Sequence, residues 1–353
     1  MSDSKRKILF LYTELAGYIL SCIDELVNTT STEVILVRWP LNKEAPFDFK
    51  FPDGIKVLQR NEIKDDELLA MAKNFNPDLI FCSGWVDKGY LKVCKEFRFK
   101  IPVVVGLDNQ WDGSFRQRIA SLFRFKLIRP YFSHAWVPGE RQKKFARRLG
   151  IPEKNISTGF YSADTRHFFK IYNELLPLRT SHFPKRFIYV GRYLPFKGIQ
   201  DLWDAFVELQ NEHPNEWELW CLGTGDLWDK KVEHPKIKHF GFVQPNEISG
   251  IIAQTGVFIL PSQFEPWGVV VHEFAASGFP LICTPNVGAS EVFLEENKNG
   301  FLIEAGNKNS IKEVLTKCMN LNQDSLLSMS VHSHLLSSKI TPQVWTDKLL
   351  NIH

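Results

Sequence analysis

Short apolar runs recur along this chain, and most are followed by a stretch in which apolar and polar residues alternate with a helical period. In the first half the runs fall at residues 8–12, 33–38, 55–58, 79–82, 103–107, 135–138 and 156–158. In the second half they fall at 186–190, 218–222, 237–240, 257–260, 281–284 and 300–303. Near-continuous apolarity without strict alternation predicts strands buried on both faces. Helical patterns lie between them, including 15–27, 65–74 and 140–149. Strands alternating with helices predict parallel sheets joined by right-handed crossovers. A chain of 353 residues exceeds what one ordinary core organises, so two domains are expected. The reading is therefore α/β: two Rossmann-like, doubly wound domains facing an interdomain cleft. Residues 1–165 form the first, 166–184 a linker, 185–335 the second, and 336–353 a terminal segment.

Composition changes this picture little. An apolar fraction of 44% and a charged fraction of 24% describe an ordinary globular protein. The six cysteines are scattered, with no CxxC and no metal-ligand spacing. Cys82, Cys221 and Cys283 sit inside apolar runs, as buried free thiols in a reducing cytosol would. Lys5, Arg6 and Lys7 precede an apolar run too short for a signal peptide, with Thr13 and Glu14 directly after it, so it reads as the first strand. No run approaches the ~20 apolar residues needed to cross a bilayer. A cytoplasmic location is expected.

The most informative stretch follows the run at 257–260. It reads Phe264-Glu265-Pro266-Trp267-Gly268-Val269-Val270-Val271-His272-Glu273. Proline suits the first turn of a helix, so Glu265 is expected just before a helix and Glu273 about two turns inside it. A helix N-terminus carries roughly +0.5 charge and accepts a phosphate. Two glutamates at this spacing are common on exposed helix faces. Here they follow a buried strand, and strand ends are where open α/β sheets bind ligands.

This stretch, with Gly278 and then Asn286-Val287-Gly288-Ala289-Ser290-Glu291, resembles the donor-site block of retaining GT-B glycosyltransferases of the family 4 (group 1) type. Four further blocks agree in order and approximate spacing: Tyr189-Val190-Gly191-Arg192-Tyr193-Leu194-Pro195-Phe196-Lys197-Gly198, Leu222-Gly223-Thr224-Gly225-Asp226, His239-Phe240-Gly241-Phe242-Val243 and Asn299-Gly300-Phe301-Leu302-Ile303. The resemblance spans residues 186–305. It implies a nucleoside-diphosphate sugar donor, with a UDP-sugar favoured and a GDP-sugar possible, and a glycan or lipid-linked saccharide acceptor, as in surface polysaccharide synthesis. It also implies that the terminal segment crosses back onto the first domain.

A diphosphate leaving group gains charge as its bond to the sugar breaks, and preorganised cations lower that barrier. Arg192 and Lys197, in a glycine-bounded loop after a strand, fit this task, and the resemblance gives both the same role. The amides of Gly268 and Val269 add to the anion site, beside Gly191 and Trp267. The resemblance places Glu273 on the ribose hydroxyls and Glu265 near the transferred sugar. Val243 is placed to meet the base through its backbone or to serve the core. Gly223 shapes a turn with or without a ligand. Near the first strand, where the family commonly has a glycine pair, only Gly17 is suitable. After the run at 103–107 many members place a histidine; this chain has Asp108, which acts on the sugar or acceptor or else caps a helix or turn. With no Asp-x-Asp triplet, the cations and the helix dipole stand in for a metal, and neither metal nor cofactor is expected.

Between Arg116 and Arg148 ten basic residues face only Glu140, and Phe115, Leu122, Phe123, Phe125, Ile128, Tyr131 and Phe132 are interleaved among them. Such a face suits either an anionic membrane surface, making the protein peripheral, or an ordinary solvated helix. No groove-reading motif accompanies the charge, so nucleic acid is not an expected partner. Two other functions share the resemblance: a nucleotide-sugar epimerase, and a non-catalytic nucleotide-sugar-binding scaffold.

Overall fold

The computed structural model describes residues 5–40, 50–244 and 247–353. They divide into two compact units, the first comprising Met1–Ala163 and Ile340–His353 and the second Asp164–Lys339.

Unit 1 runs β1 (Arg6–Tyr12), α1 (Gly17–Thr29), β2 (Thr32–Arg38), β3 (Lys56–Gln59), α2 (Asp65–Phe75), β4 (Leu79–Cys82), α3 (Lys88–Phe97), β5 (Val103–Gly106), α4 (Phe115–Leu122), α5 (Arg124–Leu127), β6 (His134–Val137), α6 (Glu140–Arg148) and β7 (Ile156–Thr158). Its sheet is ordered β3-β2-β1-β4-β5-β6-β7, and every pairing is parallel. Side chains of a strand point alternately to its two faces. Accordingly Leu9 and Leu11 of β1 join the core formed with α2, α3 and α6, while Ile8 and Phe10 join the opposite core.

That opposite core is completed by α14 (Pro342–Leu350), which packs against α1 although it follows all of unit 2 in sequence. Trp345 is fully buried, stacks on Trp136 with ring centroids 4.8 Å apart, and donates its indole N–H to the Phe160 carbonyl at 2.9 Å. Thr341 caps the helix by accepting from the Val344 amide. Replacing Trp345 by alanine removes the largest apolar group that the returning helix buries. It is expected to destabilise unit 1 by about 3–5 kcal/mol, measurable as a lower midpoint in urea unfolding.

Unit 2 runs α7 (Thr165–Ser181), β8 (Arg186–Val190), α8 (Ile199–Glu212), β9 (Glu218–Leu222), β10 (Ile237–Gly241), α9 (Ser249–Ile252), β11 (Val257–Leu260), α10 (Val269–Ala276), β12 (Leu281–Cys283), α11 (Ser290–Phe293), β13 (Gly300–Leu302), α12 (Lys308–Met319) and α13 (Gln323–Ser337). Its sheet is ordered β10-β9-β8-β11-β12-β13, again parallel throughout. Residues 166–184, expected to be a linker, are instead mostly α7. Phe168, Ile171, Tyr172, Leu175 and Arg179 form one buried stripe at helical spacing. Arg179, its guanidinium lowered to about 9 by burial, donates to the carbonyls of Ser277, Gly278 and Thr255 and so pins α7 to the end of α10. All six cysteines are buried free thiols.

Candidate functional site

Unit 2 changes direction at β8. The chain proceeds outward through β9 and β10, then returns to pair β11 against the other side of β8. The carboxyl ends of β8 and β11 therefore flank a topological switch point, where open sheets of this kind bind ligands. Two loops leave it, 191–198 after β8 and 261–268 after β11.

The first loop is held from beneath. The Tyr189 hydroxyl donates to the Arg192 carbonyl at 2.9 Å, and a Cβ on Gly191 would lie only 2.9 Å from that hydroxyl. The loop after β9 presses onto it so closely that a Cβ on Gly223 would meet the Gly191 carbonyl oxygen at 2.0 Å. Gly223 also has φ +128°, a conformation other residues rarely adopt. Its place in the site is thus steric: it lets two loops approach. Arg192 projects outward and is exposed. A single turn, Pro195–Lys197, then brings Lys197 back toward the sheet.

Lys197 forms an ion pair with Glu265 of the second loop, both side chains being about 15% exposed. The backbone of Glu265 is fixed by the segment after β12: its amide donates to the Asn286 carbonyl at 3.3 Å, and its carbonyl accepts from the Gly288 amide at 3.0 Å. Gly288 is needed there, because a Cβ would lie 2.2 Å from the Pro266 carbonyl oxygen. Glu265 also forms an isolated parallel bridge with Val287, and Pro266 does not open the helix as expected. Gly268 takes φ +88° as the N-cap and α10 begins at Val269. Glu273 consequently sits one turn inside α10 rather than two. The amide of Val269, the first residue of α10, has no intrahelical acceptor, whereas that of Val271 already donates to the Gly268 carbonyl at 3.0 Å.

Glu273 is partly buried, and none of the hydrogen bonds described engages its carboxyl. Burial pushes it up to about 7, with the charge of Asp164 adding to the rise. Asp164 caps α7, accepting from the His167 amide at 3.3 Å. No sequence signal linked these two carboxylates, which stand 109 residues apart. Tyr189 was likewise hidden inside an apolar run, yet it feels the charge of Glu265 and holds the Arg192 backbone.

Other expected residues are placed less directly. The Trp267 ring is buried and packs edge-on against Phe293, so its side chain serves the core and only its backbone is available to a ligand. Val243 lies partly buried in the loop after β10, and its neighbour Phe242 is the more exposed of the two. In unit 1 the equivalent switch point lies between β1 and β4, where the Thr13 amide donates to Ser83 Oγ at 2.8 Å. Gly17 is the first residue of α1, and a Cβ there would meet nothing within 4 Å. Asp108 is exposed after β5 and accepts from the Tyr161 hydroxyl at 3.4 Å. It does not cap the following helix, whose N-cap is Ser114. Among the described residues, no three His, Cys, Asp or Glu side chains gather in a group that could hold a metal ion.

Two doubly wound α/β units, with cations and carboxylates at a strand-end switch point, define a protein of the GT-B fold. Solved structures agree across the whole chain. The Anabaena HepE structure with UDP and glucose matches with TM-score 0.70 at 15% identity, covering 98% of each chain. A glycosyltransferase from Rickettsia africae matches with TM-score 0.75 at 14% identity, covering 99% of this chain and 97% of that one. Residues 184–320 match the family described as Glycosyl transferases group 1. An uncharacterized glycosyltransferase of Haemophilus influenzae is 29% identical over 161 residues, 43% of this chain and 44% of that protein. The chain spans about two fifths of the length of the curated relatives it matches.

Proposed function

We propose that this protein is a retaining glycosyltransferase that moves a sugar from a nucleoside diphosphate, UDP being favoured, to a hydroxyl of a glycan or lipid-linked saccharide. One observation carries the reading: Lys197 and Glu265 meet at the switch point of unit 2, between the loop that bears Arg192 and the start of α10. A diphosphate would take Lys197, Arg192 and the amides of Gly268 and Val269. Glu273 would accept from the ribose hydroxyls, and Glu265, released from Lys197, from the transferred sugar. The backbone at Val243 would receive the base. In unit 1, Gly17 is assigned to the donor's phosphates and Asp108 to a hydroxyl of the sugar or acceptor.

No side chain in this assignment is a nucleophile. Retention then proceeds on one face: the bond from the anomeric carbon to the phosphate oxygen breaks as the acceptor oxygen forms its own. The departing phosphate takes the acceptor proton. Arg192 and Lys197 stabilise the charge that grows on that phosphate. They supply the positive charge a metal would otherwise bring, so EDTA is expected to leave turnover unchanged. A loss restored by magnesium would overturn that assignment.

The direct test is a thermal-shift screen against UDP, GDP and their sugars, followed by incubation of the stabilising sugar nucleotide with saccharide acceptors. A ligand bound only to the native state raises the melting temperature, by an amount equivalent to about 2.7 kcal/mol at a hundredfold excess over Kd. UDP and its sugars are expected to give the shift. Conversion of the donor sugar without an acceptor would favour an epimerase, and binding without turnover a scaffold.

A further inference from the structure

The segment after β5 has the wrong arrangement for a core helix. α4 and α5 contain no buried residue. Phe115, Ile119 and Leu122 recur at positions one, five and eight of α4, within an arc of about 60° at ~100° per residue. That stripe normally faces a core, yet here it faces outward: Phe115 is 78% exposed and Leu122 73%. Phe123, Phe125 and Leu127 continue it, all exposed. These six side chains are a large part of the exposed apolar surface of the described residues, gathered within thirteen positions.

The charges beside the stripe have one sign. Arg118 and Arg116 stand on either side of it along α4, and Lys126 and Arg129 follow, all exposed. Arg124 and Arg129 each sit 4.9 Å from the Phe125 ring centroid. No acidic residue occurs between Asp112 and Glu140. Arg98 is held below its usual range by burial and by the charge of Arg129, so the positive field extends to the end of α3. Beside Arg98, Phe99 is 87% exposed.

We propose that α4 and α5 form a docking surface for an anionic lipid bilayer, the aromatic and aliphatic side chains entering the headgroup region and the arginines and lysine pairing with lipid phosphates. An outward apolar stripe bordered by cations is the pattern of a helix lying in the plane of an interface. Neither half suffices: the apolar groups are few, and the cations alone are screened by salt within about 10 Å at 0.1 M. Together they supply the two signals that stable, reversible attachment requires. No helix of the described residues is long and apolar enough to cross a membrane, so this surface would be a peripheral contact. The inference stands apart from glycosyl transfer, since it uses none of the residues assigned to that reaction.

The test is flotation of the full chain with vesicles of phosphatidylcholine alone or containing phosphatidylglycerol at about 30%, in low and high salt. The anionic vesicles are expected to bind at least tenfold more tightly than the neutral ones, and high salt to weaken that binding. A charge-reversed variant (Arg116→Glu, Arg118→Glu, Lys126→Glu) is expected to lose binding at least a hundredfold, since each basic residue near the surface contributes roughly fivefold. A second variant (Phe115→Ser, Leu122→Ser, Phe125→Ser) is expected to lose it even in low salt. Both should keep the wild-type circular dichroism and melting temperature, because none of the altered side chains is buried. Equal binding to neutral and anionic vesicles, or wild-type binding by both variants, overturns the proposal. So does sedimentation velocity showing a dimer that the serine variant abolishes, or binding to a duplex oligonucleotide with none to vesicles.

Discussion

Glu265→Gln is expected to bind UDP about tenfold more tightly than the wild type while turning over about 10²–10³-fold more slowly. Without ligand, Lys197 is already occupied by Glu265, both being largely withdrawn from solvent. A diphosphate must displace that carboxylate to reach the ammonium. A hydrogen bond involving a charged group contributes about 1.5–3 kcal/mol, and a neutral amide holds the lysine much less firmly, so the competing contact weakens. Turnover moves the other way, because the freed carboxylate is what would steady positive charge developing on the sugar. Loss of one preorganised electrostatic partner costs about 10²–10³ in kcat. Lys197→Ala separates the two effects. It should weaken UDP binding and slow transfer together, and it leaves Glu265 without its cation. Calorimetric titration with UDP and initial rates at saturating donor measure both quantities. Equal UDP affinity in Glu265→Gln and wild type would show that the ion pair does not compete with the phosphate.

The strand framework was legible because buried parallel strands must be apolar on both faces. Each of the thirteen described strands overlaps a run recognisable in the sequence, and Leu79–Cys82, Ile156–Thr158, Arg186–Val190, Glu218–Leu222 and Val257–Leu260 coincide with the runs at both ends. Helix starts were harder, because they depend on what the loop beside them does. Pro266 looks like an opening residue, but the residues around it are captured by the segment after β12, and the turn is deferred to Gly268. The missed helix α7 shows the opposite failure. Residues 166–184 read as a linker, although the stripe from Phe168 to Arg179 was present. Pairwise relations were not legible at all. That Lys197 meets Glu265, and that Asp164 bears on Glu273, arises only when segments distant in sequence converge in the fold.

The second large effect concerns Glu273, where function and stability are expected to oppose each other. Its carboxyl is raised to about 7, chiefly by burial, against about 4.3 in an unfolded chain. Raising an acid in the folded state means that the folded protein holds the proton longer. Stability is therefore unaffected below about pH 4, falls as pH rises through the interval from about 4.3 to about 7, and levels off above it. The loss is at most about 4 kcal/mol, since one pKa unit is 1.36 kcal/mol. Glu273→Gln removes the titrating group, so its melting temperature at pH 8 should exceed the wild type's by about 2–8 °C. At pH 4 the advantage should vanish. The same variant should bind UDP more weakly at pH 8, because an amide accepts poorly where an ionised carboxylate would take the ribose hydroxyls. In the wild type that carboxylate must first be ionised. Its advantage over Glu273→Gln in UDP affinity should therefore shrink as pH falls below about 7, whatever the nucleotide's own phosphate does. Melting curves and UDP titrations of both proteins from pH 4 to 8 provide the measurement. A variant no more stable than the wild type at pH 8 would mean that the carboxyl is not held neutral by its surroundings. An affinity gap constant across pH would remove Glu273 from the ribose.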